Sequence, residues 1–262
     1  MVLGRRTENW QGRAAPTLRS CRTIRMVLLT SLALVMALSL GYAGATSAPA
    51  VTIVVVRPSQ ELAVLLGPHA ALARPSRHAA AVYDVPARLP ITGARTVLPV
   101  LGHKTSADGH RWLRVRLPGR PNGHTGWIRK RATVTASTHW HIVIDISSRR
   151  VTVYKRARPI RVFRAVVGKP STPTPLGVFF VEESIRLRPG DVGAPNALAL
   201  SARSNVLQEF EGGPGQIALH GLANVGGTLG TAASHGCVRL SGDAMAWLAA
   251  HVGPGTPVTI TR

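Results

Sequence analysis

Ser234-His235-Gly236-Cys237-Val238-Arg239-Leu240, with His220-Gly221 shortly before it, decides how the C-terminal half of this chain folds and reacts. Cys237 lies 17 positions after His220, and the connection from Leu222 to Ala233 is mostly Gly, Ala and Thr. Such a connection folds back readily and can bring the imidazole of His220 onto the sulfur of Cys237. The chemistry needs that contact: a free thiol has a pKa of roughly 8.5, only its thiolate is a good nucleophile, and a nearby base or cation must activate it. Gly236 lets the backbone turn sharply just before the sulfur. Backbone N–H groups gathered beside a nucleophile are the raw material of an oxyanion hole.

Outward from this stretch the pattern is mostly strand. His141-Ile142-Val143-Ile144-Asp145-Ile146 is followed by the turn Ser147-Ser148, then by Arg149-Arg150-Val151-Thr152-Val153-Tyr154. A further turn, Arg156-Ala157-Arg158-Pro159, precedes Arg161 to Val167. Period-2 alternation puts Val151 and Val153 on one face, and Arg150 and Thr152 on the other. Phe179 to Glu182 and Ile217 to Leu219 add strands. Ser241 is an N-cap candidate for a helix over Gly242 to Val252, ended by Gly253-Pro254-Gly255, and Pro257 to Thr261 closes as a last strand. The expected fold is mainly β, a β-sandwich with one or two helices. Leu187 to Gly215 shows little periodicity and reads as a long loop covering a substrate cleft.

Towards the N-terminus, residues 81–136 show short strand signals separated by turns. Val97 to Val100 and Trp112 to Leu117 are strands, Pro118 to Gly123 is a strong turn, and Thr125-Gly126-Trp127-Ile128 opens the next strand. This region resembles a small SH3-like β-barrel, in which a Trp followed downstream by Gly-Trp-Ile recurs. Its expected role is wall binding, positioning of the next domain, or spacing; Trp112 and Trp127 read as core residues. Residues 46–80 are rich in Ala, Pro and Arg and read as a linker, with one strand over Val51 to Val56 and a short helix around Glu61 to Leu66. Residues 1–45 read as a signal peptide or membrane anchor: Arg22 and Arg25 flank a 15-residue apolar run from Met26 to Leu40, and Ala43-Gly44-Ala45 offers a cleavage site. Any membrane association would run through this segment alone.

The formal net charge is +21 over 262 residues. Residues 1–45 hold six Arg and one Glu, so 26 basic and 10 acidic residues remain, a balance of about +16 in the exported part. A surface of that sign favours anionic partners. Nucleic acid is set aside, because no recognition helix, zinc finger or aromatic-basic motif accompanies the charge; acidic lipid and anionic polymers, anionic cell-wall polymers among them, remain. The two cysteines are Cys21 and Cys237. With Cys21 ahead of the apolar run, the exported part would keep a single cysteine, Cys237, which in a glycine turn downstream of His-Gly points to a reactive site.

The His-Gly pair, the gap in the mid-teens and the Ser-His-Gly-Cys-x-Arg run together resemble the L,D-transpeptidases of bacterial peptidoglycan, the YkuD-type catalytic domain. Gly168-Lys169-Pro170-Ser171-Thr172-Pro173-Thr174-Pro175-Leu176-Gly177-Val178-Phe179 resembles that family's Thr-Pro-rich strand entry. The resemblance covers roughly residues 138–262 and implies the same β-sandwich. It also implies an exported enzyme acting on peptidoglycan stem peptides in the cell wall, without cofactor or metal. Resemblance and chemistry together give Cys237 as nucleophile and His220 as general base, with the Gly221 carbonyl orienting the imidazole. The amides around His235, Gly236 and Cys237 would hold the oxyanion. Ser234 and His235 would shape the site, and Arg239 would hold a substrate carboxylate or brace the loop. The implied product is a 3→3 cross-link; water as acceptor would give an L,D-carboxypeptidase, another amine would give attachment of a protein to the wall, and an inert Cys237 would leave a wall-binding scaffold. A zinc site of His220, His235 and Cys237 with His139 or His141 lacks the paired-ligand spacing such sites use.

Overall fold

The computed structural model describes residues 54–210 and 212–262. The apolar run and cleavage site expected within 1–45 lie outside the described residues. So do Val51 to Ile53; Val54 to Val56 carry no strand.

Seven strands build the N-terminal sheet: β1 (Gln60–Leu65), β2 (His69–Leu72), β3 (Ala81–Val85), β4 (Val97–Thr105), β5 (Arg111–Arg116), β6 (Thr125–Arg129) and β7 (Thr133–Thr138). Their order is β3-β2-β6-β5-β4-β1-β7, antiparallel throughout. This corrects two expectations. The helix around Glu61 is a strand, and residues 60–72, expected as linker, are paired elements of the sheet. Glu, Leu and Ala are good helix formers. Here Leu62, Ala63 and Leu65 are buried and β1 is paired on both edges, so tertiary pairing overrides a weak local preference. Trp112 is fully buried and Trp127 half-buried.

The second sheet has eight strands in the order β10-β9-β8-β17-β12-β13-β14-β16. They are β8 (Trp140–Asp145), β9 (Arg150–Lys155), β10 (Arg158–Arg164), β12 (Gly177–Arg186), β13 (Asn196–Arg203), β14 (Gln216–His220), β16 (Val238–Arg239) and β17 (Pro257–Thr261). A short pair, β11 (Val167–Gly168) and β15 (Ala232–Ser234), stands beside it. Asp145 nucleates the β8–β9 turn, its Oδ1 accepting from Ser147 Oγ (2.8 Å) and Ser148 N (3.0 Å). The β9–β10 turn places Arg156 and Ala157 at φ +51° and +62°, the left-handed pair that matches strand twist. The helix α1 (Gly242–His251) is capped by Ser241, whose Oγ accepts from Ala244 N (3.2 Å), and buries Ala244, Met245 and Leu248 against the sheet.

The loop expected over 187–215 is interrupted by β13, an interior strand of the sheet. Asn196-Ala-Leu-Ala-Leu-Ser-Ala-Arg203 is covered on both faces, so its apolar residues run on without alternation. Two shorter loops remain, 187–195 and 204–215, and both end up at the site.

Alternation along β12 joins the two sheets. Phe179 enters the core shared with Ile142, Val153, Leu198 and Leu219, whereas Phe180 enters the N-terminal core with Leu98, Val100, Leu117 and Ile128. Adjacent aromatics on opposite faces thus anchor one strand in two hydrophobic cores.

His141 on β8 is buried, donates or accepts with Thr259 Oγ1 at 2.8 Å, and has its pKa pushed down by burial from 6.5 to about 4. The unfolded chain therefore takes up a proton below pH 6.5 that the fold resists until about pH 4. Stability should fall across that window as pH drops, by about 3 kcal/mol from this group. Urea melts at pH 7 and pH 4.5 should show a smaller loss in His141→Gln than in wild type; an equal loss would assign the acid sensitivity elsewhere.

Candidate active site

β14 and β16 run parallel, with Leu219 opposite Val238 and His220 opposite Arg239. Leu219 and Val238 point into the core. Alternation then puts His220 on the other face, together with Cys237 just before the start of β16, two residues out of register. With a rise of ~3.3 Å per residue and strands ~4.8 Å apart, their Cα atoms are about 8 Å apart, within reach of an imidazole and a thiol pointing at each other.

Three sets of contacts hold this pair. His220 Nδ1 lies 2.8 Å from the carbonyl oxygen of Gly221. A carbonyl only accepts, so Nδ1 carries the proton and Nε2 of the neutral ring is the basic nitrogen. The 187–195 loop closes over the back of the ring. Gly221 N donates to Gly193 O (2.7 Å), Gly193 N donates to Ala223 O (2.7 Å), and Asn224 Nδ2 donates to Gly190 O (2.7 Å). Gly193 sits at φ +83°, and a Cβ there would come within 2.6 Å of His220 Nδ1; one on Gly221 would collide with Ala194 O. Both positions need glycine for the backbone to press on the imidazole.

The second set holds the Cys237 turn. Gly236 adopts φ +121°. Its N–H donates to Ser234 Oγ (3.1 Å), and Ser234 Oγ donates to Cys237 O (2.6 Å). Thr174 Oγ1 donates to Gly236 O (2.8 Å) while accepting from Gly168 N (2.9 Å), and Thr172 Oγ1 donates to Ser234 O at 3.3 Å. Ser234 is completely buried, so its hydroxyl is a brace of the turn. Cys237 is half-buried, and its Sγ is 4.0 Å from the Gln216 carbonyl oxygen.

The third set flanks the Cys237 turn. His235 is exposed; Phe210 stacks on its ring at 5.7 Å between centroids, and Lys169 Nζ is 3.4 Å from its Nε2. Arg239 is buried and donates Nη1 to Val225 O and Gly226 O, both at 3.2 Å. Of the two roles expected for it, bracing the 222–227 segment is the one its hydrogen bonds serve. His141 is four strands from β14 in the sheet, about 19 Å away. His139 Nδ1 lies 3.1 Å from the Pro58 carbonyl oxygen, on the N-terminal side.

The model of the L,D-transpeptidase catalytic domain, YkuD, matches residues 139–260. This chain carries an L,D-transpeptidase catalytic domain. Among its relatives are L,D-transpeptidase 1 of Mycobacterium tuberculosis, 31% identical over 130 residues, covering 45% of this chain and 49% of the relative. YkuD of Bacillus subtilis is 31% identical over 123 residues, covering 47% of this chain and 66% of the relative. The chain thus spans about half the length of the first of these and somewhat more of the second. A solved structure of L,D-transpeptidase 3 from Mycobacterium tuberculosis with a faropenem-derived adduct aligns with a TM-score of 0.41 at 16% identity, covering 64% of this chain and 91% of that one. Against the transpeptidase domain, reasoning from sequence missed Gly193, Gln216 and Phe210. Thr172 and Thr174 stood inside the quoted Thr-Pro run, which was the available signal.

Proposed function

We propose that this protein is an exported L,D-transpeptidase that forms 3→3 peptidoglycan cross-links through an acyl-enzyme on Cys237. What carries the proposal is the tautomer of His220: with Nδ1–H spent on the Gly221 carbonyl, Nε2 is a base on the same sheet face as the thiol. Nε2 takes the thiol proton, and the thiolate attacks the carbonyl of the diaminoacid at stem position 3. The Gly236 amide is committed to Ser234, so the oxyanion falls to the amides of His235 and Cys237. Collapse expels the terminal D-Ala, whose amine takes the proton from the imidazolium. A stem amine then attacks the thioester, gives its proton to His220, and restores the thiol. Incubation with a carbapenem, whose β-lactam ring mimics the acyl donor, should add one ligand mass to Cys237. No adduct would favour the wall-binding scaffold.

Charge supports the site of action. Residues 149–164 hold seven cationic and no acidic side chains. On the β8–β10 edge Lys155 lies over Trp140 at 4.8 Å and Arg161 over Trp247 at 5.0 Å. Among the described residues, Arg203–Glu182 is the only arginine–carboxylate pair. Exposed charges are screened over roughly 8 Å at physiological salt, so retention on isolated walls should weaken steeply from low to high salt. Salt-independent retention would assign wall binding to the N-terminal module, proposed as an SH3-like binding or positioning unit.

A further inference from the structure

The N-terminal module reaches the site through one turn, between β5 and β6. Arg120 donates Nη1 to Pro214 O (2.9 Å) and Nη2 to Ser204 O (2.8 Å) and Leu207 O (3.1 Å). These carbonyls stand at the beginning, the middle and the end of the 204–215 loop, so one guanidinium closes the neck of that loop. Asn122 fastens its stem: Nδ2 donates to Arg203 O (2.7 Å) and Asn205 Oδ1 (3.0 Å), and Oδ1 accepts from Arg203 N (2.8 Å). Gly119 N adds a bond to Ser201 O at 3.1 Å. Gly215, at φ +62°, has no room for a side chain: a Cβ would collide with Leu207 O and lie 3.3 Å from Arg120 Nη2. A planar fork of five donors suits the gathering of several carbonyls in a way that a lysine's point charge does not.

The loop held at this neck carries Phe210 onto His235, two residues before Cys237. Phe210 is 42% exposed, and its own turn is closed by two hydrogen bonds with Gly213, at 2.9 and 3.0 Å. A large aromatic is thus presented beside the Cys237 turn by a loop tied down from the N-terminal module. A second line starts from the same turn. Arg203, whose backbone Asn122 binds, pairs with Glu182; Glu182 accepts from Gln216 Nε2 (2.8 Å), and the Gln216 carbonyl lies 4.0 Å from Cys237 Sγ.

We propose that the Arg120–Asn122 turn of the N-terminal module is a positioning element for the site around Cys237, fixing the 204–215 loop so that Phe210 caps His235 and shapes the approach of a bulky acyl donor. The claim about acyl donors rests on Cys237 being the acylated nucleophile. Arg120 need not touch substrate, and the module is then part of the catalytic unit rather than a spacer.

The test compares wild type, Arg120→Ala, Arg120→Lys and Phe210→Ala in the full chain, with three readouts. Misplacement of a site by about 1 Å from a distance costs up to about a hundredfold in rate, so carbapenem acylation of Arg120→Ala should slow by about ten- to a hundredfold. Alkylation of Cys237 by iodoacetamide, which requires only the thiolate, should stay unchanged. Backbone amides of 204–215 should exchange hydrogen faster in Arg120→Ala. Phe210→Ala leaves the inter-sheet contacts in place and should show the same split between the two reagents, whatever Arg120→Ala does to the melting temperature. Arg120→Lys should recover part of the acylation rate. Equal acylation rates in wild type, Arg120→Ala and Phe210→Ala would overturn the proposal, as would unchanged loop exchange in Arg120→Ala. A wild type that is alkylated but never acylated would instead remove the acyl-enzyme reading; loop exchange alone would then decide whether Arg120 holds the loop, faster exchange supporting it and unchanged exchange overturning it.

Discussion

Cys237→Ala should take up no carbapenem at all, and His220→Ala should acylate at the same sulfur about 10²- to 10⁴-fold more slowly, the usual contribution of a positioned base. Both expectations follow from the same geometry. In the proposed acyl-enzyme the sulfur forms the bond, so its loss should be absolute. In the same proposal His220 activates the thiol through Nε2, its Nδ1 being tied to Gly221 O, so its loss should leave an attenuated nucleophile. The two act as a unit, and a double variant should be no worse than Cys237→Ala. His235→Ala should be milder than His220→Ala, because His235 is exposed and meets only Phe210 and Lys169. Intact-mass time courses separate these cases. Adduct on Cys237→Ala, or a larger loss in His235→Ala than in His220→Ala, would reverse the roles assigned here.

Arg203→Met should destabilise the fold by about 3–5 kcal/mol at pH 7, the cost of leaving one member of a buried ion pair uncompensated. Nη1 and Nη2 of Arg203 both lie 3.2 Å from Glu182 Oε2, and Nη1 also donates to Leu200 O (3.0 Å) and Ala202 O (3.3 Å). Burial is the largest influence on Glu182 and pushes its carboxyl up, while Arg203 pulls it back down. Without the guanidinium the carboxyl rises further and takes a proton more easily. The gap between Arg203→Met and wild type should therefore narrow as pH falls, and the double variant Glu182→Gln/Arg203→Met should regain much of the loss. Urea unfolding at pH 7.5 and pH 5 checks this. A gap that widens towards acid, or a double variant as unstable as the single, would show that the charge on Glu182 is not the source of the cost.

The candidate site residues are legible in sequence where chemistry and short spacing coincide. His220 and Cys237 stand out because few arrangements other than an activated thiol ask for a His-Gly and a Gly-Cys at that distance. Strand β9 was legible from alternation, β8 from its β-branched run Ile142-Val143-Ile144, and α1 from Ser241 and the glycines after it. β13 was hidden because a strand buried on both faces does not alternate, and its alanines carry little strand preference. β1 was hidden because Glu61, Leu62 and Ala63 favour a helix until β4 and β7 pair with them. The supports of the site were invisible for a different reason. Gly193 matters because its backbone presses on His220, Thr174 because it reaches Gly236, and Arg120 because three carbonyls of the distant 204–215 loop converge on it. Each contact exists only once strands distant in sequence have come together, and no local pattern encodes it.

Acyl transfer itself is tested most directly by giving the purified protein a disaccharide-tetrapeptide and following the products by mass spectrometry with fragmentation of the peptide. Release of D-Ala together with a dimer joined between the third residues of two stems is the expected result, lost entirely in Cys237→Ala. Tripeptide with no dimer would mean that water is the acceptor; a dimer joined through the fourth residue of the donor, or no release of D-Ala by a protein whose Cys237 is still reactive, would contradict L,D-transpeptidation by this chain.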